Sequence, residues 1–245
     1  MLLACMLTLG GGGTAQAATT TLADTPVYSA SNVPANLMMA LSVEFPTGTV
    51  AAYKGTNDYT STTRYLGYFD NAKCYTYDST DGYFVPASTT TTASCDSTHW
   101  SGNMLNWATM AALDEFRQAL TGGNRGATGL GGADTATTTV LLRSNLTKQG
   151  SYRTNFPDKN VNPSGVVGDT TLNTASTVYI RNGGLGTTFE VADNSGFTNN
   201  PASGTPGRSG YQAATHMKTY NAQVQVCVAA LLETNCNSAH ASTDY

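Results

Sequence analysis

Five cysteines, three histidines and a few carboxylates are the side chains of this 245-residue chain that could do chemistry, and their spacing narrows what kind. Cys5 lies in an apolar leader, which leaves Cys74, Cys95, Cys227 and Cys236. No Cys-x-x-Cys pair occurs, and His99, His216 and His240 stand at no ligand spacing, so zinc is disfavoured. An even number of cysteines in an exported chain points to disulfides instead. Three pairings are open, and the two clusters favour Cys74–Cys95 with Cys227–Cys236. Hydrolysis lacks a Gly-x-Ser-x-Gly elbow. A base would have to be histidine, yet His99 reads as packing or capping beside Trp100, and His216 and His240 sit in polar segments. Asp78-Ser-Thr-Asp-Gly82 lacks the alternating oxygen ligands and closing Glu of a calcium loop and reads as a turn. Trp100 and Trp107 could form a sugar platform, but helical spacing favours core packing. No enzyme, cofactor or metal site is expected in this stretch.

These residues need elements to position them. Leu105, Ala108, Ala112, Leu113, Phe116 and Leu120 recur at three- and four-residue steps, predicting one amphipathic helix over 101–121. Ser101 or Asn103 can cap its start, and Gly122 or Gly123 can end it in a left-handed conformation. Leu37 to Val43 is a continuous apolar run between Pro34 and Pro46, which suits a strand buried on both faces. The helix face is expected to pack on that strand. Tyrosine-rich segments between them read as short strands and turns. Further strands are expected at Thr177 to Arg181, Thr187 to Val191 and Ala222 to Val228.

Only 11% of residues are charged, against a usual quarter. Thr, Ser, Asn and Gly take the surface positions, which fits an extracellular protein rich in strands and loops. A net charge of −4 with scattered Lys and Arg argues against a nucleic-acid partner, because no basic patch is available for phosphates. Residues 1–17 combine an apolar run with Ala15-Gln-Ala17, the pattern of a cleaved signal peptide without its usual basic start. Export is therefore expected.

Trp100-Ser-Gly-Asn-Met-Leu-Asn-Trp107 and its continuation to Gly123 resemble the PilY/PilC family, large proteins at the tip of type IV pili. Val33-Pro-Ala-Asn36, Tyr65-Leu-Gly-Tyr-Phe-Asp70, Lys73-Cys-Tyr-Thr-Tyr77, Tyr83-Phe-Val-Pro86 and Val224 to Cys236 resemble family segments in family order. The resemblance implies an α/β fold: the N-terminal part of a von Willebrand factor A-like doubly wound domain, with inserted β-rich, disulfide-bearing loops. Residues 18–145 would start that domain, 146–245 would be a β-rich Thr/Asn/Gly insertion, and the chain would be an N-terminal fragment. Such domains hold Mg²⁺ with Asp-x-Ser-x-Ser after the first strand. Here the position reads Ser42-Val-Glu-Phe-Pro46, so only Ser42 and Glu44 could serve, and the site is read as degenerate. Asp193-Asn-Ser-Gly-Phe197 imitates the motif but reads as a turn. Calcium is expected only in a C-terminal propeller beyond this stretch. The implied role is pilus biogenesis and tip adhesion, supporting assembly against retraction and attachment to a surface. The implied partners are minor pilins or the tip complex and a host or abiotic surface, at the periplasm, outer membrane or cell surface. The alternative is an exported carbohydrate-binding or hydrolytic module unrelated to pili.

Overall fold

The computed structural model describes residues 47–126, 138–148, 152–194, 216–233 and 236, all within the compact unit Ser42–Tyr245. The leader at 1–17, the Leu37 to Val43 run, Ser42, Glu44, Pro46, the stretch 195–197 and His240 lie outside the described residues.

Strands β1 (Lys73–Asp78) and β2 (Tyr83–Thr89) form an antiparallel hairpin rich in aromatic and β-branched residues. Its turn is the Asp78 to Gly82 segment. The Asp78 carboxylate accepts the N–H groups of Thr80 (2.8 Å) and Asp81 (3.1 Å), and Gly82 supplies φ 77°. The two-residue β3 (Trp100–Ser101) pairs with β1 and leads directly into α1 (Gly102–Thr109) and α2 (Ala112–Thr121). Next come β4 (Thr139–Leu142), the single turn α3 (Tyr152–Asn155) and β5 (Lys159–Val161). Strands β6 (Val178–Arg181), β7 (Thr188–Ala192), β8 (Met217–Asn221) and β9 (Gln223–Val226) complete the described elements.

One sheet runs β3-β1-β2-β9-β4 and the other β5-β6-β7-β8. Ala222 alone separates β8 from β9, so one chain segment passes from the second sheet into the first. Its N–H donates to Thr187 and its carbonyl accepts from Arg143. An aromatic core joins the sheets: Trp100 stands edge-on to Tyr220 at 4.9 Å, and Phe84 lies parallel to Phe189 at 6.2 Å.

The doubly wound von Willebrand factor A-like fold is not what forms. Such a sheet is parallel, with helical crossovers of a dozen or more residues between neighbouring strands. Among the described residues every strand pair is antiparallel except a single β2–β9 contact, Phe84 opposite Val224. Short connections such as Asp78 to Gly82 permit only hairpins, and the Tyr- and Thr-rich strands are partly exposed, unlike the continuous apolar strands of a parallel sheet.

The expected single helix is also two. Met110 and Ala111 are extended, with ψ of 137° and 156°. Val50 to Ala52 recruits them as one rung of sheet: Ala52 N–H donates to Met110 O, and Ala112 N–H to Val50 O. The exposed ends at the break find partners from distant segments. Thr109 O accepts Arg143 Nη1 (3.1 Å), and Ala108 O accepts Asn182 Nδ2 (3.1 Å). The Asp114 carboxylate accepts Ala111 N–H (3.1 Å) and Ser144 N–H (2.8 Å). Burial raises the Asp114 pKa, against these hydrogen bonds, and drives the Arg143 guanidinium down to about 9, against the attraction of Asp114. The outer ends follow the expected caps. Ser101 Oγ accepts Met104 N–H, and Gly122 closes α2 with φ 81°.

Candidate interaction groove

Helix α1 is buried on all sides, including its polar residues Asn103, Asn106 and Thr109. The two asparagines are therefore obliged to hydrogen-bond, and they do so to one loop, Thr63 to Asp70. Asn103 Oδ1 accepts Tyr65 N–H (2.9 Å), and its amide donates to Thr63 O (2.9 Å). Asn106 Oδ1 accepts Phe69 N–H (3.1 Å), while its amide donates to Tyr65 O (3.0 Å) and Phe69 O (2.7 Å). The remaining residues of the motif close the same clamp. A Cβ on Gly102 would lie 2.2 Å from Asp70 O, so only glycine lets the helix approach the loop. Trp107 Nε1 donates to Asp58 (3.0 Å), and the Lys159 ammonium sits 4.3 Å from its ring centroid. Burial brings Lys159 down to about 7. Trp100 and Trp107 are each 1% exposed, so neither is a sugar platform.

The clamped loop shows its side chain at Leu66. Tyr53 Oη accepts Leu66 N–H (2.7 Å) and donates to Leu66 O (3.1 Å), fixing the backbone, while the side chain is 63% exposed. Burial first, then the nearby Glu115 charge, pushes the Tyr53 hydroxyl up to about 12. Leu66 edges an open groove of about 560 Å³, whose walls are the 66–72 loop, Glu115, Gln118 and Ala119 of α2, and Leu232 with Glu233. Phe116 and Leu120, 44% and 42% exposed, lie on the adjoining stripe of α2. Of the helix face expected to be buried, Leu105, Ala108 and Leu113 are buried and Ala112 is half-buried, while Phe116 and Leu120 at its C-terminal end are at the surface.

Disulfides Cys74–Cys95 and Cys227–Cys236 hold the flanks. The second closes the segment that carries Leu232 and Glu233. Glu233 accepts Cys227 N–H (2.7 Å) and pairs with Lys73 (2.5 Å), which lies 3.6 Å from Asp70 and also donates to Leu231 O. Cys227, Glu233 and Cys236 form the one potential metal cluster among the described residues, but both sulfurs are consumed by the disulfide. One carboxylate of the groove is unserved: Glu115 Oε1 is shielded from water without a hydrogen-bond partner. Burial, with the Asp114 charge second, pushes Glu115 up to about 7. Sequence reasoning missed Glu115 and Asn106, and offered Asn103 only as a possible helix cap, not as part of the clamp. Asn103 and Asn106, three residues apart among Leu and Trp, carried the available signal, polar residues in an otherwise apolar helix turn.

The two described histidines occupy separate sites. His99 pairs with Asp96 (2.7 Å), whose carboxyl is held down to about 2, first by the Thr98 hydroxyl and then by Thr98 N–H and His99. His216 pairs with Asp193 (2.8 Å) at the end of β7.

Fold and groove together define a small, disulfide-closed domain with a rigid, partly apolar surface groove. Residues 56–199 match the family described as "PilY1 homolog, small alpha/beta domain", and the chain belongs to that family. A relative from Xylella fastidiosa (strain Temecula1 / ATCC 700964), "Type IV pilus biogenesis factor PilY1 homolog", is 36% identical over 149 residues. That match covers 57% of this chain and 12% of the relative. No solved structure matches the chain.

Proposed function

We propose that this chain serves type IV pilus biogenesis as one domain of a larger exported factor, supporting assembly against retraction and attachment at the pilus tip. The observation that carries this reading is the family match over 56–199, which takes in the clamped loop, the α1 helix that clamps it and the α2 wall of the groove. The work is interfacial. A rigid loop, two disulfides and exposed leucines suit a surface that holds a partner under load, with minor pilins or the tip complex as that partner.

Deleting the gene tests the proposal. Surface pili and twitching are expected to fall while membrane pilin stays near normal, and removing the retraction motor is expected to restore some pili. Normal pili and adhesion in the deletion strain, with lost growth on a polysaccharide, would replace this reading with the carbohydrate one.

A further inference from the structure

We propose that the groove receives a protein segment that places one arginine or lysine side chain beside Glu115, with aliphatic neighbours lying on Leu66 and Leu232. The inference deepens the assembly reading and rests on it.

Charge and shape argue together. The groove lining includes three carboxylates, Asp70, Glu115 and Glu233, and no cation. Lys73, buried behind it, serves Glu233 at 2.5 Å and reaches Asp70 at 3.6 Å. Glu115 has no such partner, and its Oε1 is already out of water. A shielded carboxylate oxygen without a donor costs stability in the free protein, and a cation docked in the groove beside this carboxylate offsets part of that cost through its charge. Guanidinium and ammonium groups supply such donors on an apolar stem. The walls suit that stem: Leu66, Ala119 and Leu232 line the groove, and Leu66 is the most exposed large hydrophobic residue among the described residues. Exposed apolar side chains around a fixed polar group are the usual make-up of a docking site. The backbone walls need little ordering on binding, because Asn103, Asn106 and Tyr53 already hold the loop.

The groups that face Glu115 set its pH response. Burial first, and then Asp114 on the same helix, oppose its ionisation, while Tyr53 on the facing segment is neutral at ordinary pH. Asp70 and Glu233 share the groove, with Lys73 between them. A bound cation favours the ionised form, so binding strengthens as pH rises through about 7.

The test titrates the purified full chain, followed by amide NMR, with N-acetyl-Leu-Arg-Leu-amide and its neutral twin N-acetyl-Leu-Gln-Leu-amide. The arginine peptide is expected to bind at least about tenfold more tightly at pH 8, with shifts in α2 and the 66–72 loop. Its affinity is expected to fall about tenfold by pH 6, as a carboxyl titrating near 7 loses most of its charge. Glu115→Gln should abolish both differences, and Leu66→Ser should weaken both peptides alike. Equal affinities for the two peptides, or an unchanged preference in Glu115→Gln, overturn the proposal. So does a dimer of the chain that Leu66→Ser dissociates, since a second copy would then occupy the groove. Failure here alongside a pilus defect in the deletion strain removes the partner chemistry and leaves the biogenesis role standing.

Discussion

Replacing Asn106 by alanine removes three hydrogen bonds from a fully buried side chain and leaves Phe69 N–H, Phe69 O and Tyr65 O without it. Each buried group left unmet costs about 1–3 kcal/mol. Tyr65 O keeps a long contact to Asn71 Nδ2 at 3.5 Å, and water can enter the vacated space, which places the total loss at about 3–5 kcal/mol. Against a domain stability of about 5–15 kcal/mol, that is a large fraction. Urea unfolding followed by circular dichroism measures it, and hydrogen exchange locates it. The midpoint should fall with little change in slope, and protection should drop first in the 63–72 loop. Asn106→Asp keeps the acceptor for Phe69 N–H but loses both donors and buries a charge, so it should fare no better. A loss below about 1 kcal/mol, with protection at Tyr65 and Phe69 intact, would falsify the clamp.

Phe116→Ala and Leu120→Ala should each cost under about 1 kcal/mol, far below a buried Phe→Ala change, because both side chains are over two-fifths exposed; melting temperatures check this. Between about pH 4.5 and 7 the folded chain holds a proton on Glu115 that the unfolded chain has released, so stability falls as pH rises through that window. Urea titrations at pH 5 and 8 should show that fall in the wild type and not in Glu115→Gln; parallel curves would contradict it. Opening Cys74–Cys95, 21 residues apart, should cost about 3 kcal/mol by loop entropy, and opening Cys227–Cys236, 9 apart, somewhat less; unfolding of Cys→Ser pairs measures both.

Local chemistry was legible where local chemistry decides the outcome. Ser101 and Gly122 bound the helical stretch as their types require, because a cap acts within one turn. The two cysteine clusters likewise match the bridges that form. The helix break was not legible, since Met110 and Ala111 are good helix positions until Val50 to Ala52 pairs with them. Arg143 and Asn182 then meet the freed carbonyls from far along the chain. The sheet order was hidden for the same reason: β9 pairs with β4 and touches β2, and neither is near it in sequence. Periodicity also put Phe116 and Leu120 on a buried face, yet α2 packs through Leu113 and Asp114 and leaves that stripe open. Trp100-Ser-Gly-Asn-Met-Leu-Asn-Trp107 was informative about kinship first, and its physical role, clamping the loop, appears only when the loop is in place.

The central claim is that the clamped groove is the working surface of this domain in pilus biogenesis. Surface pili counted by electron microscopy test it most directly, in a strain whose chromosomal gene carries Leu66→Ser with Glu115→Gln. The first replaced side chain is mostly exposed and the second is a conservative change in the groove, so immunoblots should show wild-type protein levels. Pili should be sparse, and deleting the retraction motor should restore some of them. Wild-type pilus numbers at wild-type protein levels would contradict the account.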